Sequence, residues 1–322
     1  MHLPALQIGK KRAKTCIIQG GMSICIALAP LVAAVASEGG VGTIGGMGIP
    51  PNELKTQIRA ARHMTTGIVG VNLMYVGALF DQLLDVCINE GPDYVAIGAG
   101  FARGPFAKLE EHGIPAFAII SSPKAARIIT RTPGVTGVVV ESGEAGGHLG
   151  PKDPTISTWD LFPEVLRELR ECGFSGPAIA AGGLLDRKDI DRALAMGADG
   201  VQLGTRFAMS VESSASEPMK EAWLKATGSQ VEWWSPTGYA SRAIVPHNDE
   251  KLPRVDGVTV HCESCLKICS HRDNRSQSHC IRQALINSHR GLVENGLVFC
   301  GSRVGEIHDI LTVKEIFQRL TS

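Results

Sequence analysis

The sequence predicts an α/β protein of the closed parallel class, a TIM (β/α)8 barrel, with a smaller lid segment inserted late in the chain. Three observations predict it. Eight short, near-continuously apolar runs recur between residues 15 and 203, as expected for parallel strands covered on both faces. Amphipathic stretches of helical length alternate with them, the pattern of repeated βα units. Glycines recur where the apolar runs end, at Gly20-Gly21, Gly45-Gly46, Gly98, Gly182-Gly183 and Gly204. In a barrel those ends share one face, and the active site lies there.

Taken in order, the strands are expected at 15–18, 41–44, 68–73, 94–97, 116–119, 137–140, 178–181 and 200–203. Eight of them favour a closed barrel over a doubly wound open sheet. The intervening helices are expected at 51–62, 79–89, 106–112, 123–130, 162–172 and 187–196, and the apolar stretch 23–37 reads as a buried helix between glycine turns. After Phe207 the rhythm changes. A helix is expected at 213–227, residues 233–260 lack clear periodicity, a cysteine-rich stretch follows, and 312–320 is helical again. The resulting division is a barrel over 1–207, an inserted lid and cysteine-rich segment over 208–310, and a C-terminal helix over 311–322 returning to the barrel.

Composition agrees with that size. One barrel needs ~250 residues, and the chain has 322, with 44 % hydrophobic and 20 % charged residues, a soluble globular balance. Thirty-two basic residues offset 32 acidic ones, so no global field steers the chain to nucleic acid or anionic lipid. No apolar run approaches the ~20 residues of a membrane span, and a cytoplasmic location is expected. Lys10-Lys11-Arg12 reads as a solvated surface run. Of the nine cysteines, Cys16, Cys25, Cys87 and Cys172 read as buried packing residues. The other five fall between 262 and 300, and in a reducing compartment such a cluster points to a metal rather than disulfides.

Three segments carry candidate chemistry. Ala180-Ala181-Gly182-Gly183 and Val201-Gln202-Leu203-Gly204-Thr205 end the last two strands, where barrels often bind phosphate on exposed backbone N–H groups. Tight turns alone would also use such glycines. The second segment, Glu141 to Gly150, follows strand six and sets His148 among glycines, close enough to a flat ligand to exchange a proton near neutral pH. The third joins Gln19-Gly20-Gly21-Met22 after strand one to Asn72 at the end of strand three, groups suited to an isoalloxazine ring. Trp233, Trp234 and Tyr239 either line the substrate mouth or pack the lid onto the barrel. No dinucleotide fingerprint is present.

These motifs, in the order IIQGGM, GGVGTIGG, GVNLM, IGAG, EAGGHLG, IAAGGLLD and MGADGVQLGTRF, resemble the nitronate monooxygenase (2-nitropropane dioxygenase) family and its relative, the FMN-dependent enoyl-ACP reductase. The resemblance runs from about Ile17 to Ala226. It implies an FMN cofactor with its phosphate at Gly182, Gly183, Gly204 and Thr205, and its ring against Gly21, Met22, Asn72 and Gln202. Gly147 joins that cofactor set, and His148 becomes the catalytic acid/base. Two activities are then implied: oxidation of alkyl nitronates, or reduction of an enoyl thioester or other activated double bond with NAD(P)H as donor. A flavin electron carrier or redox sensor without a substrate is a third reading, which His148 disfavours. A sugar-phosphate barrel without flavin leaves Asn72 unexplained. A small-molecule or acyl-thioester substrate and a homodimer complete the expectations.

Cys262, Cys265, Cys269 and Cys280, spaced x2, x3 and x10, depart from the simple pattern of either group. Four thiolates so spaced suit a [4Fe–4S] cluster, or alternatively zinc. The spacing resembles the cluster-binding run of the 2,4-dienoyl-CoA reductases, which implies a ferredoxin-like electron donor. His261, His271, His279 and Cys300 are further candidate ligands.

Overall fold

Eight parallel strands close in chain order: β1 (Ile17–Gln19), β2 (Val41–Gly45), β3 (Ile68–Met74), β4 (Tyr94–Gly98), β5 (Ala116–Ile120), β6 (Val135–Glu141), β7 (Ala178–Ala181) and β8 (Gly200–Leu203), with β8 pairing back onto β1. The structure is a computed structural model and describes residues 2–233, 235, 237–244, 262–270 and 280–322. Every strand lies within two residues of its expected bounds.

Alternation along the strands separates two apolar layers. Val69, Val71, Val138, Val140 and Val201 point outward, into the layer shared with the helices. Ile18, Val41, Ile68, Tyr94, Phe117, Val139 and Ile179 fill the barrel interior, and Leu6, Ile8 and Ala13 plug it from below. Two strand glycines make room for the rings there. A Cβ on Gly70 would lie 2.0 Å from the Tyr94 ring, and one on Gly137 would lie 2.4 Å from that of Phe117. The buried Tyr94 hydroxyl is satisfied by Thr43 Oγ1 at 2.5 Å, as burial of a polar group requires.

Helices α1 (Ala29–Ser37), α2 (Pro51–Met64), α3 (Phe80–Glu90), α4 (Arg103–Glu111), α5 (Pro123–Ile129), α6 (Thr158–Glu171), α7 (Arg187–Ala195) and the short α8 (Thr205–Ala208) connect the strands. The helix expected at 23–37 is shorter. It starts at Ala29, with proline in its first turn, because Ile24 and Cys25 take left-handed backbone angles that no helix continues through. Cys16 and Cys87 are buried and Cys25 half-buried, but Cys172 is exposed. It caps α6 at the solvent end rather than packing in the core.

Beyond α8 the chain forms α9 (Glu217–Lys225), β9 (Gln230–Glu232), β10 (Ser241–Ile244), α10 (Ile281–His289) and β11 (Val298–Phe299), then returns through α11 (Val313–Thr321). Strands β9, β10 and β11 pair antiparallel. Their sheet also takes in Gly147–His148 from the loop after β6, with Ser241 opposite His148 and Arg242 opposite Gly147. Trp223 of α9, Met209, Val298 and Cys300 form a separate core under this sheet. Helix α11 closes the molecule by setting Val313, Ile316, Phe317 and Leu320 into the barrel's outer layer. Buried Arg206 bonds Asp309 Oδ1 at 2.7 Å and the Met209 carbonyl at 2.8 Å, tying the turn after β8 to the returning segment. Helix α10, within the cysteine-rich stretch, had no apolar periodicity strong enough to announce it. No helix among the described residues is long and apolar enough to cross a membrane.

Candidate active site

A cavity of about 1000 Å3 opens at the C-terminal ends of the strands, roofed by the segment that follows α8. All ten residues singled out for catalysis and flavin binding line it: Gly21, Met22, Asn72, Gly147, His148, Gly182, Gly183, Gln202, Gly204 and Thr205. Its size is at the upper end for small-molecule sites.

The floor is built from close approaches. Gly21 lies so near Asn72 that a Cβ would stand 2.3 Å from the Asn72 Cβ, and one on Gly20 would meet Gln202 at 3.0 Å. Asn72 donates weakly to the Ala96 carbonyl at 3.3 Å. Glycine is required at Gly21, where the chain crosses the Asn72 side chain, whereas at Gly20 the Gln202 side chain would have to give way.

The candidate phosphate end is a pair of turns. Gly182 and Gly183 have φ of +108° and +65°, which favours glycine, and a Cβ on Gly182 would strike Ser142 Oγ at 2.3 Å. Thr158 Oγ1 donates to the Gly182 carbonyl at 2.6 Å and lies 2.7 Å from Ser142 Oγ, so the turn is held from behind. Gly204 differs from them. A Cβ there would meet nothing within 4 Å. The backbone N–H groups of Gly183 and Gly204 have no acceptor among the described residues. Thr205 Oγ1 accepts from the Gly301 N–H at 2.8 Å and keeps its own proton to donate. Arg303, absent from the sequence reading, stands beside this end. It reaches the Gly183 carbonyl at 3.5 Å and pairs with Asp189 and with Glu306 at 2.7 Å.

His148 is held more firmly than a loop residue. Its backbone is in the sheet with Ser241, its ring meets that of Phe299 edge-on at 5.5 Å, and Nε2 lies 2.7 Å from Ser235 Oγ. Ser235 Oγ is in turn 2.8 Å from Thr237 Oγ1. Burial lowers the imidazole pKa to about 4, so the ring is neutral at neutral pH. The neighbouring glycines admit other chain segments: a Cβ on Gly143 would strike the Pro154 carbonyl oxygen at 2.3 Å, and one on Gly146 the Cys300 backbone at 2.6 Å. Arg242 locks the same loop, bonding the Gly143 carbonyl at 2.8 and 3.1 Å. Sequence reasoning missed Ser235, Thr237 and Arg242, because only tertiary pairing of β10 brings them to His148.

The cysteine segment forms part of the cavity rim. Cys265 lines the cavity with Glu263, Ser264 and Leu266. The loop docks on the chain after β3, where Ala78 N–H donates to the Cys265 carbonyl at 3.0 Å and Lys267 N–H to that of Val76 at 2.7 Å. Glu263 and Arg282 form an ion pair of 2.5 Å that links this loop to the start of α10, where Cys280 sits. Burial raises the Cys265 thiol, and the charges of Cys280, Cys269 and Cys262 raise it further. Among the described residues, however, no group of three or more His, Cys, Asp or Glu is arranged to hold a metal ion. His261, His271, His279 and Trp234 lie outside the described residues. Cys300 packs in the core under the lid sheet, with its thiol pushed up to about 12 by burial. Tyr239 lines the cavity, whereas Trp233 is 65 % exposed and does not.

A closed parallel barrel with its ligand cavity at the C-terminal ends of the strands is the architecture of barrel enzymes. The chain belongs to the nitronate monooxygenase family, whose pattern matches residues 5–83 and 74–322. It is 32 % identical over 210 residues to a (3aS,4S,5R,7aS)-5-hydroxy-7a-methyl-1-oxo-octahydro-1H-indene-4-carboxyl-CoA dehydrogenase of Mycobacterium tuberculosis; the match covers 65 % of this chain and 57 % of that protein. The chain therefore spans under two thirds of that relative's length. A Staphylococcus aureus protein named probable nitronate monooxygenase is 30 % identical over 251 residues, 65 % of this chain and 69 % of that one. FabK from Thermotoga maritima superposes with a TM-score of 0.76 at 30 % identity, covering 95 % of this chain and 91 % of the other. Nitroalkane oxidase from Streptomyces ansochromogenes shares the fold, with a TM-score of 0.75 at 21 % identity and 94 % of each chain covered.

Proposed function

We propose that the chain is an FMN-dependent oxidoreductase of the nitronate monooxygenase type, acting on alkyl nitronates with His148 as its acid/base. The observation that carries this reading is convergence: ten residues from five strand ends and the turns after them line one cavity, with turn glycines at one end and His148 on the wall. The residues fit the cofactor. The free N–H groups of Gly183 and Gly204 and the open space over Gly204 suit its phosphate, and Gly21, Met22, Asn72, Gly147 and Gln202 suit its ring. When bound, FMN supplies hydride and single-electron exchange that no side chain provides.

The chain's own part is binding and proton handling. As a neutral imidazole, His148 accepts a proton from a substrate carbon or donates a hydrogen bond to a substrate oxygen. Its Nε2 contact with Ser235 holds the ring in place, and the Ser235–Thr237 pair extends that hydroxyl line. A negatively charged nitronate beside the ring would raise its low pKa and so favour proton uptake. The described residues after α8 that roof the cavity, Tyr239, Leu266 and Phe299 among them, would shield the reacting atoms from water.

The size of the cavity and the likeness to FabK and to a carboxyl-CoA dehydrogenase favour a second reading, reduction or oxidation of an acyl-thioester substrate with NAD(P)H or a ferredoxin-like protein as electron partner. An electron carrier would not need a desolvated imidazole on the cavity wall. Cys262, Cys265, Cys269 and Cys280 remain our candidate set for a [4Fe–4S] cluster or zinc. Their described arrangement does not present a ligand set, so no step is assigned to a metal.

The test is His148→Ala. The variant is expected to keep its flavin while turnover of an alkyl nitronate under oxygen, or of an enoyl thioester with NAD(P)H, falls by about 100- to 10,000-fold. Unchanged turnover on whichever substrate the wild type accepts would remove His148 from the reaction.

A further inference from the structure

We propose that Glu141 is the proton-holding group of the cavity floor and that its uncharged carboxyl donates a hydrogen bond to the flavin ring. The proposal rests on the flavin reading above and adds a residue that neither the family resemblance nor the sequence motifs single out.

Its placement follows from strand alternation. On β6, Val138 and Val140 pack outward and Val139 packs into the barrel interior. Glu141, two residues past Val139, therefore faces inward. Its neighbour across the sheet is Ala181 of β7, a member of the same interior cluster. By the same argument Asn72 is inward between Val71 and Leu73, and Gln202 is inward between Val201 and Leu203. All three polar side chains line the cavity. They form a polar layer on top of a barrel interior that is apolar apart from the Tyr94–Thr43 hydroxyl pair.

Of the three, only Glu141 can change charge. No hydrogen bond or ion pair engages its carboxyl among the described residues, and burial alone raises its pKa from 4.5 to about 7. The ionisable groups around the cavity are Glu144 and His148 from the loop after β6, Arg206 after β8, Arg303, and Glu263 with Arg282 at the rim. Cys265, Cys300 and Tyr239 complete the set, and Tyr94, deeper in the barrel, is committed to Thr43. None of them contributes to the displacement of Glu141, and Arg303 is already paired with Asp189 and Glu306. A half-buried carboxyl facing the cavity without a cation, with its pKa raised to about 7, is mostly protonated below neutrality and ionises above it. So protonated, it presents one O–H donor and one carbonyl acceptor; ionised, it only accepts. The hydrogen-bonding edge of a flavin, with alternating carbonyl and N–H groups, can pair with the first form and loses a donor with the second.

The experiment measures FMN affinity of the flavin-free protein from pH 5.5 to 8.5, for wild type, Glu141→Gln and Glu141→Leu. This range lies above the titration of His148. The ratio of wild-type to Gln affinity is read, so that the ligand phosphate's own titration, near pH 6, cancels. Glutamine donates at every pH. The expected ratio is constant below pH 6.5 and falls by up to about tenfold per pH unit above 7. Glu141→Leu, which donates nothing, is expected to bind about tenfold more weakly than the Gln variant throughout. A ratio that does not change with pH, or a Leu variant equal to the Gln variant, overturns the role of Glu141 and leaves the flavin reading standing. Folded wild type that binds no FMN at any pH overturns both. Circular dichroism of each variant confirms that the fold is intact.

Discussion

At the scale of single residues, the glycines divide into those that shape the chain and those that leave room for something else. Gly183, at φ +65°, belongs to the first group and Gly204 to the second. The two make opposite predictions. Gly183→Val is expected to lower both the melting temperature and flavin retention, since a left-handed β-branched residue costs at least about 1–2 kcal/mol and its Cβ would meet Glu144 at 2.9 Å. Gly204→Ala is expected to leave the melting temperature within a degree or two, because nothing in the protein lies within 4 Å of the added methyl, and yet to weaken flavin binding. A Gly204→Ala protein that binds FMN as wild type would show that no ligand approaches this turn. Glu141 adds a pH-dependent term. Its folded pKa is raised, so the stability it contributes is complete below about 4.5 and is lost as pH rises through about 7. Glu141→Gln should therefore stabilise the flavin-free protein at pH 8, by at most about 3 kcal/mol, and have little effect at pH 5. Urea midpoints at the two pH values decide this, and equal midpoints at pH 8 would show that the carboxyl is not desolvated.

At the scale of elements, the barrel was legible and the lid was not. Parallel strands buried on both faces leave continuous apolar runs, so all eight could be placed from sequence within two residues. The turn glycines were legible because they end such runs, Asn72 because it stands near the end of one, and His148 because it lies in the glycine-rich loop that follows another. The lid sheet offers no such signal. Its strands have only two to four residues, and its most telling pairing, β10 with Gly147–His148, joins segments about ninety residues apart. Ser235 and Arg242 could not be found without it, and Glu141 stood in a quoted motif with nothing to show that it ends a strand facing inward. The cysteine loop is the reverse case, with a motif plain in sequence and no group of three or more metal-ligating side chains gathered among the described residues. Protein purified without oxygen is expected to carry iron with acid-labile sulfide, or zinc, and Cys265→Ser to lose it. Wild type free of both metals would reduce the quartet to a docking loop on the cavity rim.

At the scale of the whole molecule, three parts meet at one place. The barrel supplies the floor and the turns, the segment beyond α8 supplies the roof and fixes His148, and α11 ties the end of the chain back to the barrel through its apolar face. On the proposed reading, function is divided between a barrel that would position a flat cofactor and an added cover that fixes His148, the proposed proton-transferring group. The most direct check is to denature the purified protein and identify and quantify the flavin released. About one FMN per chain, or uptake of one equivalent by flavin-free protein, is the expected result. A folded chain that releases no flavin and takes up none would contradict the assignment of this cavity.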